Sequence, residues 1–152
     1  MRTAIDTNVI SALWSGEPSA SHMSALLAQV RRVGSLVVCA SVYSELLAHP
    51  KATPPFVDAF LSSTNITIDF ALDEVIWRDV AVRFAAYAER RRHAGGAIAK
   101  RLLADFIVGG HALHRADQLL TLDPTRYVRD FPTLTLMPFG AQHIWQLDTK
   151  PV

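Results

Sequence analysis

Four carboxylates stand in apolar stretches of this chain. Asp6 opens Asp6-Thr7-Asn8 directly after the segment Met1 to Ile5. Glu45 lies in Ser44-Glu45-Leu46, Asp105 in Ala104-Asp105-Phe106-Ile107-Val108, and Asp123 closes Leu120-Thr121-Leu122-Asp123. An unpaired buried charge is costly, and charged residues are only 19% of the chain, so each of these acids calls for a reason. Carboxylates gathered within a few ångströms raise one another's pKa, and a divalent cation removes that conflict. Hard oxygen ligands suit Mg²⁺ or Mn²⁺. Such ions activate water and stabilise the leaving oxygen in phosphodiester hydrolysis.

Each acid also has an ordinary reading. Asp6 fits a helix cap, Glu45 a partly exposed helix residue, Asp105 a favourable first-turn acid, and Asp123 a turn former before Pro124. Asp117 and Asp130 flank Asp123, and either can take its place as fourth acid. Asp69 follows another strand-like run and is expected to cap the helix starting near Asp73. Thr7 and Asn8 either orient a carboxylate or a metal water, or satisfy the helix N-terminus. His111 and His114 fall away from the helix face of Asp105 at about 100° per residue. With no cysteine beside them they make a poor zinc site.

The elements that must position these acids follow from hydrophobic patterning. Thr3 to Ile5 reads as a strand, Val9 to Trp14 as a helix, and a second helix capped by Ser19 or Ser21 runs to about Arg32, where Gly34 ends it. Leu36 to Ala40 is an uninterrupted apolar run typical of a central parallel strand. Ser41 is expected to cap a helix through Ala48. Pro54-Pro55 introduces a further helix with Phe56, Val57 and Phe60 apolar. Ile66 to Phe70 is the third strand. Asp73 to about Arg92 is the longest helix, with a stripe of Val75, Ile76, Val80, Phe84 and Tyr87. After the break at Gly95-Gly96 come a helix from Ala104 to about Arg115, a strand from Leu119 to Leu122, a turn at Pro124 and a last strand from Leu134 to Met137. Alternating strands and helices mean βαβ units and a mainly parallel sheet with helices on both faces. In such a sheet all four acids can reach the carboxyl edge of the strands, where ligands bind.

At 152 residues with 50% hydrophobic content, the chain is expected to form one α/β domain over residues 1–152, with a less patterned tail from Pro138 onward in which Trp145 packs back on the domain or on a partner. The formal net charge of +1 gives no global pull toward nucleic acid, so such a signal must be local. One is present. Arg90, Arg91, Arg92 and His93 close the long helix, and Lys100 and Arg101 precede the helix of Asp105. The cluster reads either as a solvated helix end or as phosphate contacts for RNA beside the acids, with Arg91, Arg92, Lys100 and Arg101 the candidates. The single cysteine, Cys39, is a small core residue, and a chain so poor in cysteine suits a reducing cytosol. No run approaches the ~20 apolar residues of a membrane span, and the chain enters structure without a signal peptide.

Taken in order, Asp6-Thr7-Asn8-Val9, Ser44-Glu45-Leu46, Ala104-Asp105-Phe106-Ile107-Val108 and Leu120-Thr121-Leu122-Asp123 resemble a PIN domain, most of all the small single-domain VapC-type toxins of toxin–antitoxin systems. The resemblance spans about residues 1–137. It implies a three-layer α/β/α sandwich with a five-stranded, mainly parallel sheet, and a Mg²⁺- or Mn²⁺-dependent endoribonuclease of the cytoplasm. Asp6, Glu45 and Asp105 match the family's three acids, Asp123 the more variable fourth, and Thr7 the hydroxyl residue beside the first. A homodimer, a cognate antitoxin covering the site, and a tRNA or other structured RNA as target are further implications. The chain departs from the pattern at Gly109-Gly110, where similar proteins often carry alanines. Two helical glycines cost ~1 kcal/mol each relative to alanine, and they either permit close packing or soften the helix.

Other families fit less well. A haloacid-dehalogenase-type phosphatase needs a second aspartate where Asn8 stands. A response-regulator receiver needs a lysine after a late strand, and none lies between Lys100 and Lys150. The rival of a different class is a PIN-like module that binds RNA or protein without cutting.

Overall fold

The computed structural model describes residues 1–138. The tail from 139 onward, with Trp145, lies outside the described residues. The elements alternate as the patterning requires: β1 (Arg2–Ile5), α1 (Thr7–Ser15), α2 (Ala20–Val33), β2 (Ser35–Cys39), α3 (Ala40–Leu46), α4 (Pro54–Ser63), β3 (Ile66–Asp69), α5 (Glu74–His93), α6 (Leu103–Arg115), β4 (Gln118–Thr121), a 3-10 turn (Pro124–Arg126) and β5 (Leu136–Pro138). The five strands are all parallel, in the order β3-β2-β1-β4-β5. Parallel neighbours need crossovers, and crossovers are right-handed. The chain steps one way from β1 to β3 and then returns to β4, so α5 and α6 cover the face opposite α1, α2 and α4. The result is a three-layer α/β/α sandwich.

The strand order reverses between β1 and β4, which pair through Ala4↔Leu119 and Ile5↔Leu120. This is the topological switch point, where open α/β sheets bind ligands. β4 is buried along its whole length, as are the last four residues of β2. Both faces of these strands are covered, which explains their continuous apolar runs.

Several local expectations are corrected. Cys39, not Ser41, takes the N-cap position of α3, and the Ser41 Oγ lies 3.1 Å from the Cys39 Sγ. Asp73 caps α5 itself by accepting from the Ile76 N–H at 3.1 Å. Asp69 stays at the end of β3, and its Oδ2 lies 3.4 Å from the buried His111 Nε2. Ile76, Val80 and Tyr87 face the core from α5, whereas Val75 is 65% exposed; the narrow buried stripe of this helix passes through Ile76 and leaves Val75, about 100° away, on the solvent side. Gly34 ends α2 in extended backbone, and a Cβ there would stand 1.9 Å from the Met1 carbonyl oxygen. A left-handed stop occurs instead at Gly16, at the end of α1, with φ 64°.

The glycine pair of α6 is a packing device. A Cβ at Gly109 would lie 2.4 Å from the Phe131 ring, and one at Gly110 would lie 2.4 Å from the Val80 Cγ2. Alanine fits at neither place, so α6 closes directly on α5 and on the segment that follows the 3-10 turn.

Candidate active site

Asp6 leaves the sheet at the switch point. Its N–H still bonds the Leu120 carbonyl at 3.0 Å, one step beyond the β1–β4 pairing. Asp6 then occupies the N-cap position of α1, but its side chain caps nothing. The carboxylate is turned the other way. Its Oδ2 accepts from the Thr121 hydroxyl at 2.7 Å, the Tyr127 hydroxyl at 2.9 Å and the Asn8 amide at 3.0 Å. The simple helix-cap reading of Asp6 therefore fails. Thr121 and Tyr127 are both fully buried, so Asp6 is held by groups that cannot easily move. Burial pushes its pKa up, partly opposed by these hydrogen bonds, and the Asp105 charge raises it further.

Asn8 locks the end of β4 to the end of β1. Its amide also donates to the Thr121 Oγ1 at 3.2 Å, and its Oδ1 accepts from the Leu122 N–H at 3.1 Å. Thr7, at the first position of α1, donates its hydroxyl to the Glu45 Oε2. Both residues thus orient acids, and neither spends its side chain on the helix end. Glu45 sits on α3, half-buried. Burial raises its pKa, the Thr7 hydrogen bond opposes this, and the charges of Asp6 and Asp105 add to the rise. Three carboxylates from three elements feel one another's field, as like charges at one sheet edge must.

Asp105 lies in the first turn of α6. Its Oδ2 accepts from the Leu102 N–H at 3.2 Å, so it does serve the helix start, while its Oδ1 accepts from the Arg126 Nη1 at 3.2 Å. Asp123 follows β4. The Thr125 hydroxyl bonds its Oδ1, the Arg126 Nε donates to its Oδ2 at 2.9 Å, and these contacts hold its pKa below the usual value. Burial alone would weaken the charge of Arg126, but Asp105, Asp123 and Asp6 outweigh that effect and strengthen it.

The two rival fourth acids are elsewhere. Asp117 lies before β4, at the opposite edge, and accepts from the Arg2 N–H at 2.6 Å. Asp130 is buried and bonded by Arg90 and by the Arg101 Nη1, the latter at 2.6 Å. Of the basic cluster, Arg101 is largely engaged: its guanidinium also stacks 4.3 Å from the Phe106 ring centre. Arg92 and Lys100 are exposed. Arg91, Arg92, Lys100 and Arg101 line one cleft with Gly95 and Gly96, of about 530 Å³. A second cleft, of about 520 Å³, joins Lys100 and Arg101 to Asp105, Asp123 and Arg126. The basic cluster and the acids are therefore neighbours. His114 pairs with Asp79 at 2.8 Å, so neither this histidine nor His111 approaches the acids.

Among the described residues, no three His, Cys, Asp or Glu side chains are disposed to hold an ion as they stand. The donor chemistry nevertheless fits a hard divalent cation, since every acid offers oxygen and two, Asp6 and Glu45, have their pKa raised by burial and, secondarily, by neighbouring acids. The position between Asp105 and Asp123 is taken by the Arg126 guanidinium.

Sequence reasoning missed Thr121, Tyr127 and Arg126. Thr121 was legible in principle: two residues before Asp123 on a strand, it shares that residue's face. Tyr127 and Arg126 belong to a short turn whose geometry no periodicity announces.

Among the described residues, no helix is long and apolar enough to cross a membrane. No curated protein sequence matches the chain. Several solved structures share its fold, two VapBC proteins among them. VapBC2 from Rickettsia felis, bound to a DNA fragment from its promoter, is 20% identical with a TM-score of 0.55, covering 91% of this chain and 98% of that one. VapBC-1 from nontypeable Haemophilus influenzae is 19% identical with a TM-score of 0.58, covering the same shares, 91% and 98%. The family model of the PIN domain matches residues 3–130, from the first strand to the acid that anchors Arg90 and Arg101, and on that match the chain belongs to the PIN domain family.

Proposed function

We propose that this chain is a Mg²⁺- or Mn²⁺-dependent endoribonuclease, one domain over residues 1–152, acting in the cytoplasm as the toxin of a toxin–antitoxin pair. The observation that carries the reading is the set of carboxylates at the switch point. Asp6, Glu45 and Asp105 come from three elements, burial and then the neighbouring Asp105 charge raise the pKa of Asp6 and Glu45, and Asp105 shares a cleft with Asp123. Asp6, Glu45, Asp105 and Asp123 would hold the metal, and the bound ion would supply a polarised water and charge for the leaving oxygen. Thr121, Tyr127 and Asn8 fix the Asp6 carboxylate, and Thr7 fixes Glu45. The Tyr127 hydroxyl, held far above its usual pKa by burial and by Asp6, stays protonated and donates.

Arg91, Arg92, Lys100 and Arg101 line a cleft that meets the acids, which supports contact with RNA phosphates. The exposed Arg92 and Lys100 are the first candidates, because Arg101 already serves Asp130. A structured RNA such as a tRNA is the proposed substrate class. The likeness to VapBC assemblies supports a cognate antitoxin as partner. A homodimer is consistent with the exposed apolar side chains of Phe70, Val75 and Trp77.

Cleavage of varied RNAs with and without Mg²⁺ or Mn²⁺, for the wild type beside Asp6→Asn and Asp105→Asn, tests the reading. It expects metal-dependent cleavage by the wild type alone. Equal cleavage by all three proteins would sink the mechanism. RNA binding by the wild type without cleavage would favour the non-cleaving module.

A further inference from the structure

The acid cluster contains its own cation. Arg126 ends the 3-10 turn after β4, three residues beyond Asp123 and next to Tyr127, whose hydroxyl is tied to Asp6. The turn therefore fixes the root of the Arg126 side chain relative to the acids. Its Nε donates to the Asp123 Oδ2 at 2.9 Å and its Nη1 to the Asp105 Oδ1 at 3.2 Å. The other oxygen of each acid is already used, by the Thr125 hydroxyl on Asp123 and by the Leu102 N–H on Asp105. Arg126 thus takes the remaining oxygen of each acid and bridges the two within one cleft.

Arg126 is also free to leave. Its side chain is 49% exposed, against 14% for Arg101, which is stacked on Phe106 and bonded to Asp130. A guanidinium and a divalent ion repel strongly at contact distance, so they cannot share the space between Asp105 and Asp123. We infer that Arg126 is an internal counter-ion that competes with the divalent cation for Asp105 and Asp123, so that metal enters by displacing it. The inference rests on the metal reading of the acids given above. It makes the metal-free protein a partly charge-compensated state, with one cation against four acids, and sets the metal affinity below what the carboxylates alone would give.

The test is Mn²⁺ binding by calorimetry to the metal-free full chain, for the wild type, Arg126→Gln and Arg129→Gln. Arg129 is a nearby exposed arginine, and its loss changes net charge equally. The expected result is binding about tenfold tighter for Arg126→Gln, with Arg129→Gln within about twofold of the wild type. In the wild type, the Arg126 Nε–Hε proton signal should shift progressively as Mg²⁺ is added; this readout needs no variant to fold. Binding by Arg126→Gln equal to or weaker than the wild type overturns the inference and leaves the metal site standing. An equal gain in Arg129→Gln also overturns it, since charge alone would then explain the effect. A wild-type Arg126 signal that ignores saturating Mg²⁺ overturns it as well. No Mn²⁺ binding by any of the three proteins removes the metal reading and this inference together.

Discussion

Two carboxylate centres in this molecule are built on opposite charge ratios. At Asp130, one buried acid receives guanidinium groups from Arg90 and Arg101, and its backbone carbonyl receives Arg83. At the switch point stand four acids, Asp6, Glu45, Asp105 and Asp123, and of these only Asp105 and Asp123 accept from a described cation, Arg126, with the Arg101 Nε 3.9 Å from Asp105. The acid of the first centre is saturated, and it ties α5, the segment before α6 and the segment after the 3-10 turn together. The second is short of positive charge, and burial and mutual repulsion raise Asp6 and Glu45. A fold has no structural need for the second arrangement. Under-compensated acids at a sheet's carboxyl edge point to a ligand that brings charge with it.

The largest effect should fall on the saturated centre. Asp130→Ala leaves Arg90 and Arg101 facing each other, with Arg101 mostly buried, and should cost about 3 kcal/mol or more in chemical denaturation. A loss below about 1 kcal/mol would mean that Asp130 is no hub. Gly109→Ala drives a methyl into the Phe131 ring, next in sequence to Asp130, and should cost about 1–3 kcal/mol in the same assay. A neutral result would show that Phe131 can swing aside.

Tyr127→Phe removes one of three donors to the Asp6 Oδ2 and should cost about 1 kcal/mol. Cleavage should fall by more than stability does, because the carboxylate loses its fixed orientation. A fall in stability alone would make Tyr127 a mere core residue.

The smallest effect concerns pH. Burial holds His111 below the usual imidazole pKa, with Asp69 partly opposing. The folded state therefore keeps the ring neutral, while the unfolded chain takes up a proton below about pH 6.5. Stability should then decline as pH falls through that value, and His111→Gln should flatten the decline. Equal slopes in the two proteins would show that His111 does not contribute.

Much of this was legible in the sequence, for physical reasons. Leu36 to Cys39 is buried on both faces, so its apolar run declared a central strand, and Leu119 to Thr121, read as a strand, is buried in the same way. Asp6 was legible because a polar triplet straight after a strand must lie at the sheet's edge. The PIN resemblance rested on that order of strands and acids, and the family match over residues 3–130 agrees with it. The roles of Asp69 and Asp73 were not legible, because two acids before one helix look alike until backbone geometry chooses the cap. The glycine pair was ambiguous for a related reason. Only the positions of Phe131 and Val80, distant in sequence, show that space rather than flexibility demands it. Arg126 was overlooked because its partners, Asp105 and Asp123, belong to different elements joined only by the fold.

The most direct test of the central claim measures cleavage and stability on the same preparation of Asp105→Asn. Its carboxylate meets Arg126 and the start of α6, yet its proposed role is chemical. The prediction is RNA cleavage in Mg²⁺ reduced by about 100-fold or more, with thermal stability close to the wild type because one member of a repelling set has become neutral. Undiminished cleavage, with the midpoint lowered by many degrees, would contradict the account and make Asp105 a structural acid like Asp130.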